Sequence, residues 1–396
     1  MFYERDILHT LLDEINRKEI VVITGMRQVG KTTILEHIFN ELGSNNKAIL
    51  DAGNPLHRNA FDEINYDKVM LNLREYGLTS NDDAYVFIDE IQNMPEISKV
   101  IKYLYDHFQV KFFVTGSSSY YLKNLFPESL AGRKFVYELF PLTFKEFLAF
   151  KEVDRKDQIT ETLRDKEKAR NKLTPELYNG YFEEYMKYGG FPGVVIEKDN
   201  KRKEGILDNI FKSYFEIDVK NLADFKDLSK LRDLILLLVA RVGYKLDISK
   251  LASELEISRE TVYSYLSFLE RTYFISMVPK YSKSLDRSSA GNRKLYYCDS
   301  GLANYLGNIS GGQLFENTIY QNLKPKYRNI SYFSKRTGAE IDFILGGNIA
   351  IEVKLSAEKR HLVNTNRISR ELGLQESYVV SKKFFDNEGI ILAQDL

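Results

Sequence analysis

The sequence predicts an α/β protein with a parallel-sheet core at its amino end, a helical middle and a second, mixed α/β part at its carboxyl end. Three observations carry this. Over residues 1–150 short apolar runs alternate with helical stretches, the pattern of a parallel sheet with crossover helices. One of these runs ends in a glycine-rich turn that opens a helix. Near the carboxyl end, two alternating runs flank Gly346-Gly347-Asn348 as the arms of a hairpin.

Taken in order, Ile7 to Lys18 has the spacing of an amphipathic helix, and Ile20 to Ile23 that of a short buried strand. Gly25-Met26-Arg27-Gln28-Val29-Gly30-Lys31-Thr32 follows, and Thr33 to Leu42 reads as a helix. This is G-x-x-x-x-G-K-[S/T] in the context its chemistry requires, strand before and helix after. The glycines let backbone N–H groups from Gly25 to Thr33 curl around phosphates, and the helix N-terminus points at the same charge. Lys31 would reach the β- and γ-phosphates, and Thr32 would ligate Mg²⁺. The expected ligand is a nucleoside triphosphate, with ATP and Mg²⁺ as the pair.

Further strands are expected at Ala48–Leu50, Tyr85–Ile88, Phe112–Thr115 and Lys134–Glu138. The third strand of the chain ends in Asp89-Glu90. Asp89 would hold Mg²⁺, directly or through water, and Glu90 would orient and deprotonate the attacking water. The next strand has a polar tip, Gly116 to Ser119, and ligands bind at the carboxyl ends of such strands. Either Ser117 or Ser118 would bind the γ-phosphate or the water, unless the tip is only a loop or helix cap. Arg133, just before the fifth strand, is either an arginine finger, in cis or in trans, or half of a structural ion pair.

Lys151 to Lys172 is crowded with charges of both signs and reads as a solvated helix or linker, so a boundary is expected there. The expected domains are 1–150, 151–205, 206–285 and 286–396. Tyr188 to Gly193 is a turn cluster, read as a packed loop with a ligand loop as the alternative. Residues 206–283 look helical. Leu251 to Leu266 has a helix-turn-helix cadence: one helix ends near Glu256, and Ser258 caps the next. Val262, Leu266 and Leu269 share a face of that second helix. Phe274 to Val278 is a candidate wing strand. No internal repeat is visible.

In the carboxyl-terminal hairpin, side-chain parity decides register. A three-residue loop at Gly346–Asn348 pairs Leu345 with Ile349, Phe343 with Ile351 and Ile341 with Val353, all on one apolar face. Asp342 then stands opposite Glu352, and Glu340 opposite Lys354. Facing carboxylates repel, and a divalent cation would turn repulsion into binding. Glu316, on the preceding helix, would complete the site. The Val353 carbonyl would add a ligand, and Lys354 would position water. The alternative is a solvated hairpin with a Glu340–Lys354 pair.

Composition bounds the rest. The 396 residues are long enough for two or three domains, and 43% hydrophobic content supports real cores. Lys plus Arg equals Asp plus Glu at 56 each, so no global basic field exists and nucleic-acid contacts would need local patches. Candidates are Lys201-Arg202-Lys203, the segment from Lys280 to Lys294, and Lys359-Arg360-His361. Cys298 is the only cysteine, which excludes an intramolecular disulfide and fits a cytoplasmic location. The start has no signal-peptide pattern, and the longest apolar run, Leu234 to Ala240, is too short to span a bilayer.

With these residues in hand, the chain resembles AAA+-type P-loop ATPases of bacteria and archaea over residues 1–150. GMRQVGKTT, VFIDEIQ, TGSSS, SLAGR and ELFPLTFKEF carry the likeness, the last with no chemistry of its own. The remainder is similar to the domain of unknown function that follows this core, with YGGFP, the helix-turn-helix and YYCDSGL as markers. The resemblance implies a winged-helix-like middle and a carboxyl-terminal fold similar to PD-(D/E)xK nucleases. Asp342, Glu352 and Lys354 match that nuclease motif, Glu316 matches its helix acid, and Ile-Asp replaces its Pro-Asp.

Two readings follow. In the first, an ATP-hydrolysing switch or motor acts on DNA through its carboxyl-terminal half. In the second, a regulatory ATPase binds protein partners and carries a vestigial nuclease fold. A standalone metal-dependent nuclease fits less well, because the Glu90 base is intact. A homo-oligomer is a candidate assembly, and no membrane partner is expected.

Overall fold

Five strands of the amino-terminal part form one parallel sheet in the order β2-β3-β4-β1-β5. They are β1 Ile20–Thr24, β2 Lys47–Asp51, β3 Tyr85–Asp89, β4 Lys111–Gly116 and β5 Lys134–Glu138. All five expected strands are present. The computed structural model describes residues 2–80, 83–117, 132–155, 162–220, 225, 227–282, 293–335 and 337–396. They fall into two compact units, Met1–Phe140 with Arg271–Tyr273, and Pro141–Glu270 with Phe274–Leu396.

Buried strands with crossover helices explain the first unit. Ile20, Val22, Ala48, Leu50, Val86, Ile88, Phe112 and Val114 point to one face and pack with Val100, Ile101 and Leu104 of the helix Ile97–Phe108. Phe87 and Phe113 point to the other face and stack at 5.0 Å. The strand order places β4 between β3 and β1, so the tips of all three adjoin at the carboxyl edge. The helix expected from Ile7 to Lys18 is shorter, Leu8–Asp13, held by buried Leu8 and Leu11.

The first unit closes at Phe140, ahead of the boundary expected near residue 150. The cause is the helix Phe144–Phe150, whose Phe144 packs edge-on against Phe182 at 5.0 Å and whose Phe147 meets Tyr185 at 5.3 Å. Both partners lie on the helix Leu173–Tyr188 of the second unit. The charged segment after residue 151 is not simply a solvated linker either. Its helix Leu163–Ala169 buries Leu163 and Lys166, and Glu167 accepts the Gly389 N–H at 2.7 Å.

The second unit holds a five-stranded mixed sheet in the order β12-β11-β10-β9-β8 and an antiparallel pair, β6 (Ile275–Val278) with β7 (Lys294–Tyr297). The large sheet uses β8 Ile330–Ser334, β9 Glu340–Leu345, β10 Ile349–Lys354, β11 Glu376–Ser381 and β12 Ile390–Leu392. The Tyr281 N–H donates to the Tyr332 carbonyl and the Tyr332 N–H to the Pro279 carbonyl, so the small sheet joins the large one. The expected domains 206–285 and 286–396 therefore share one compact unit.

Three sequence motifs, one of them the turn cluster read as a packed loop, meet in a buried knot. The Asp299 carboxylate accepts the Gly190 N–H at 2.6 Å, the Leu302 N–H at 2.9 Å and the Gln321 amide at 3.2 Å. The Leu142 carbonyl accepts Tyr185 Oη–H at 2.7 Å, and Asn322 Oδ1 accepts the Phe144 N–H at 2.7 Å. A Cβ on Gly190 would lie 2.3 Å from the Leu142 carbonyl oxygen, so only glycine allows the approach. YGGFP, CDSGL and PLTF are thus one joint.

Candidate functional site

The glycine-rich loop leaves the carboxyl end of β1 and opens the helix Lys31–Glu41. Gly25 has φ +152°, and a Cβ there would stand 2.1 Å from the Leu139 carbonyl oxygen. Gly30 has φ +99° and lets the loop turn into the helix. Arg5 braces the loop by donating to the Val29 carbonyl at 2.9 Å and to the Phe140 carbonyl at 2.8 Å. Lys31 is buried, and its ammonium donates to the Gly25 and Met26 carbonyls at 3.0 and 2.9 Å.

Side chains from the ends of β3 and β4 and from the first turn of the helix Lys31–Glu41 converge beside the loop. Thr32 Oγ1 donates to Asp89 Oδ2 at 2.7 Å. Thr115 Oγ1 donates to Asp89 Oδ1 and accepts the Glu90 N–H at 3.1 Å. Glu90 adopts a left-handed backbone, φ 51° and ψ 45°, which costs energy for a residue with a side chain. Gln92 donates its amide to Glu90 Oε2 and to Ser117 Oγ, the latter at 3.1 Å. Ser117 is buried; Ser118, its alternative, lies outside the described residues. Thr115 and Gln92 are the residues that sequence reasoning missed. Their signal was position: Thr115 ends an apolar run, and Gln92 lies two residues past the carboxylates.

Arg133 is not brought to this edge. Its carbonyl accepts the Ile20 N–H at 2.8 Å, which fixes it where β1 and β5 begin. In a parallel sheet that is the opposite end, roughly 16 Å away along five residues of strand. Its guanidinium pairs with Asp106 at 3.3 Å. The finger in cis is therefore corrected to a structural pair.

The carboxyl-terminal hairpin has the expected three-residue loop and pairs Leu345 with Ile349 and Phe343 with Ile351. Parity then breaks. Between Ser331–Ile344 and Phe333–Ile341, β9 carries one residue more than β8, a β-bulge. The bulge moves Ile341 into a cluster with Ile344, Ala350 and Ile368, while Phe343 meets Tyr296 at 5.3 Å. The Val353 N–H is taken by the Asp342 carboxylate at 2.9 Å, in place of the expected Ile341–Val353 pairing. Asp342 and Glu352 still converge on one ammonium, Lys354 Nζ, at 3.8 and 2.6 Å.

The expected Glu340–Lys354 pair is not formed. Glu340 pairs at 2.8 Å with Lys294, a residue absent from the sequence reading of this site. Lys294 Nζ also lies 3.4 Å from Glu316 Oε1 and 3.4 Å from Asp342 Oδ1. Tyr296 donates its hydroxyl to Glu316 at 2.6 Å. Burial alone would lower the Lys294 pKa, but Asp342, Glu316 and Glu340 together push it up. Burial, then repulsion from Asp342, pushes the carboxyls of Glu316 and Glu352 up. Among the described residues no group of three or more His, Cys, Asp or Glu side chains is arranged to hold a metal ion.

The two helices expected there are present, Ile248–Leu255 and Arg259–Arg271, with the Thr261 N–H capped by Ser258 Oγ at 3.1 Å. Val262, Leu266 and Leu269 are buried, and Arg259 is exposed. Two of the basic sets lose members inward. Lys203 is buried against Glu184, and Lys294 is buried among carboxylates. Arg360 of the third set pairs with Glu358 at 2.9 Å. Lys283 lies outside the described residues. No described helix is long and apolar enough to cross a membrane.

Residues 17–148 match the model of an AAA domain. Residues 179–313 and 311–388 match two domains of unknown function, DUF8612 and DUF4143. The uncharacterized protein MJ1544 of Methanocaldococcus jannaschii is 31% identical over 341 residues, 83% of this chain and 72% of its own. An uncharacterized protein of Haemophilus influenzae is 29% identical over 87% of this chain and 84% of its own. Among solved structures, the Walker-type ATPase PABY2304 of Pyrococcus abyssi shares the fold, with TM-score 0.50 and 16% identity over 77% of this chain and 96% of that one.

Proposed function

The chain belongs to a family of P-loop ATPases with an AAA domain, the family of the Methanocaldococcus relative, and from that premise we propose an Mg²⁺-dependent, cytoplasmic ATPase that acts as a switch or motor on DNA through its carboxyl-terminal half. The single observation that carries the nucleotide reading is the Thr32–Asp89 contact beside the glycine-rich loop. A hydroxyl and a carboxylate at hydrogen-bond distance are hard oxygen donors suited to Mg²⁺. Bound there with ATP, the ion would neutralise charge on the β- and γ-phosphates.

The chain's own groups do the rest. N–H groups of the loop hold phosphate, and Lys31 leaves its two loop carbonyls to reach the γ-phosphate. Glu90, oriented by Gln92, takes a proton from the attacking water. Ser117, sharing the same amide, reports the γ-phosphate to Glu90. Arg133, paired with Asp106 at the far edge, takes part in hydrolysis only as a finger supplied in trans to a second copy. The helix-turn-helix, with exposed Arg259, supplies the DNA contact.

One observation favours the second reading, a regulatory ATPase with protein partners and a vestigial nuclease fold. Lys294 lies among the acids that would hold metal, so the residues present do not fit a divalent ion there. ATP turnover with and without duplex DNA separates the two. Stimulation that falls with salt supports the DNA reading. Unchanged turnover, with no DNA binding at low salt, supports the partner-binding reading.

A further inference from the structure

We propose that Lys294 is a built-in counter-cation: its ammonium stands where a divalent metal would, and it closes the carboxylate cluster of Glu316, Glu340 and Asp342 to Mg²⁺ and Mn²⁺. The proposal deepens the partner-binding reading of the carboxyl-terminal half and does not depend on the nucleotide site.

The geometry is that of an ammonium site. Three carboxylates surround Lys294 Nζ at 2.8, 3.4 and 3.4 Å. These are ion-pair distances, whereas oxygen ligands close on Mg²⁺ to about 2.1 Å. The lysine side chain is only 4% exposed. Its ammonium also lies 5.5 Å from the centre of the buried Tyr332 ring. β7 holds the backbone of Lys294 by pairing it with Val278 of β6. The ammonium is thus delivered by a fixed strand, not by a loose side chain at the surface.

The lysine does not satisfy the whole cluster. Glu352 is 9% exposed, and its Oε2 has no hydrogen-bond partner among the described residues. Its other oxygen pairs with Lys354 at 2.6 Å. Even with Lys354 on its other oxygen, this buried carboxylate beside Asp342 stays half-satisfied, because an ammonium held at ion-pair distance reaches fewer oxygens than a metal ion would. The lysine also comes from the segment matched by one family model and the carboxylates from the next, so the cluster exists only where the two meet.

The test is Lys294→Met in the full chain, without nucleotide, with Mn²⁺ as the probe. Removing the ammonium leaves the carboxylates uncompensated, so the variant should melt below the parent in chelator. Mn²⁺ at about millimolar concentration should raise its melting temperature by at least ~3 °C and leave the parent unmoved. Electron paramagnetic resonance should count one bound Mn²⁺ per variant chain, lost again in Lys294→Met with Asp342→Asn. If Lys294→Met does not fold, Lys294→Met with Glu316→Gln removes one facing charge and is held to the same outcome. Mn²⁺ bound by the parent chain and lost in Asp342→Asn overturns the proposal. So does a folded variant that binds none. DNA-stimulated turnover, which would sink the partner-binding reading, leaves both of these outcomes readable.

Discussion

Thr32 and Asp89 lie 57 residues apart in sequence and share a 2.7 Å hydrogen bond at the carboxyl edge of the parallel sheet. Thr115 holds the other Asp89 oxygen, so the carboxylate is oriented before any ligand arrives. Thr32→Val keeps the shape and removes the hydroxyl. Affinity for Mg²⁺·ATP should fall about tenfold or more, while affinity for ATP in chelator changes little. Calorimetric titration in both conditions reads the difference. Equal losses in both would show that Thr32 acts on the loop and not through the ion.

Gly25→Ala should destabilise the first unit and abolish nucleotide binding. The new Cβ would be 2.1 Å from the Leu139 carbonyl oxygen, and the Leu139 N–H is itself bonded to Thr24 at 2.7 Å. Neither backbone can yield without breaking β1 or its exit. A loss of roughly 2 kcal/mol or more is expected in denaturant unfolding. A variant that unfolds at the parent midpoint and binds ATP would contradict the close approach.

Arg133→Ala should lower stability slightly and leave hydrolysis at the chain's own site unchanged, because Arg133 pairs with Asp106 at the far edge. Mixing Arg133→Ala with Lys31→Ala subunits tests the remaining role in trans. Recovered turnover in the mixture would restore the finger between copies. No recovery leaves Arg133 a structural residue paired with Asp106.

Asp299 gives a pH signature. Burial, opposed by hydrogen bonds from Gly190, Leu302, Gln321 and Gly301, pushes its pKa from 3.8 up to about 6. A carboxyl raised in the folded state binds its proton more tightly there than in the unfolded chain. Stability from this group is therefore greatest below pH 3.8 and declines as pH rises to about 6. Asp299→Asn removes that decline, and it turns an amide donor toward N–H groups at a cost of about 1–3 kcal/mol. The parent's advantage over Asp299→Asn should therefore shrink from pH 4 to pH 6 in denaturant titrations. A constant gap would contradict the buried carboxyl.

The parallel sheet was legible because each strand is an apolar run with its own punctuation, and β1 with its loop obeys a fixed spacing. The hairpin register was legible as far as Phe343, because parity holds until the backbone adds a residue. The bulge at Asp342 has no signal in side-chain alternation, so Ile341 was assigned to the wrong face. Lys294 was hidden for another reason. It reads as one charge in a basic run, and only the pairing of β7 with β6 carries it to carboxylates 22 to 48 residues away. Charge density marks exposed surface, so the segment after residue 151 reads as a boundary, whereas the packing of Phe144 and Phe147 places their helix in the second compact unit.

The most direct test is single-turnover and steady-state ATP hydrolysis by Glu90→Gln, with binding measured on the same samples. The Glu90 carboxylate accepts from Gln92, whereas the neighbouring Asp89 carboxylate accepts from Thr32. Glu90→Gln should bind Mg²⁺·ATP as the parent does and lose about a hundredfold or more in turnover, whereas Lys31→Ala should lose binding itself. Parental turnover in Glu90→Gln would contradict the account at its centre.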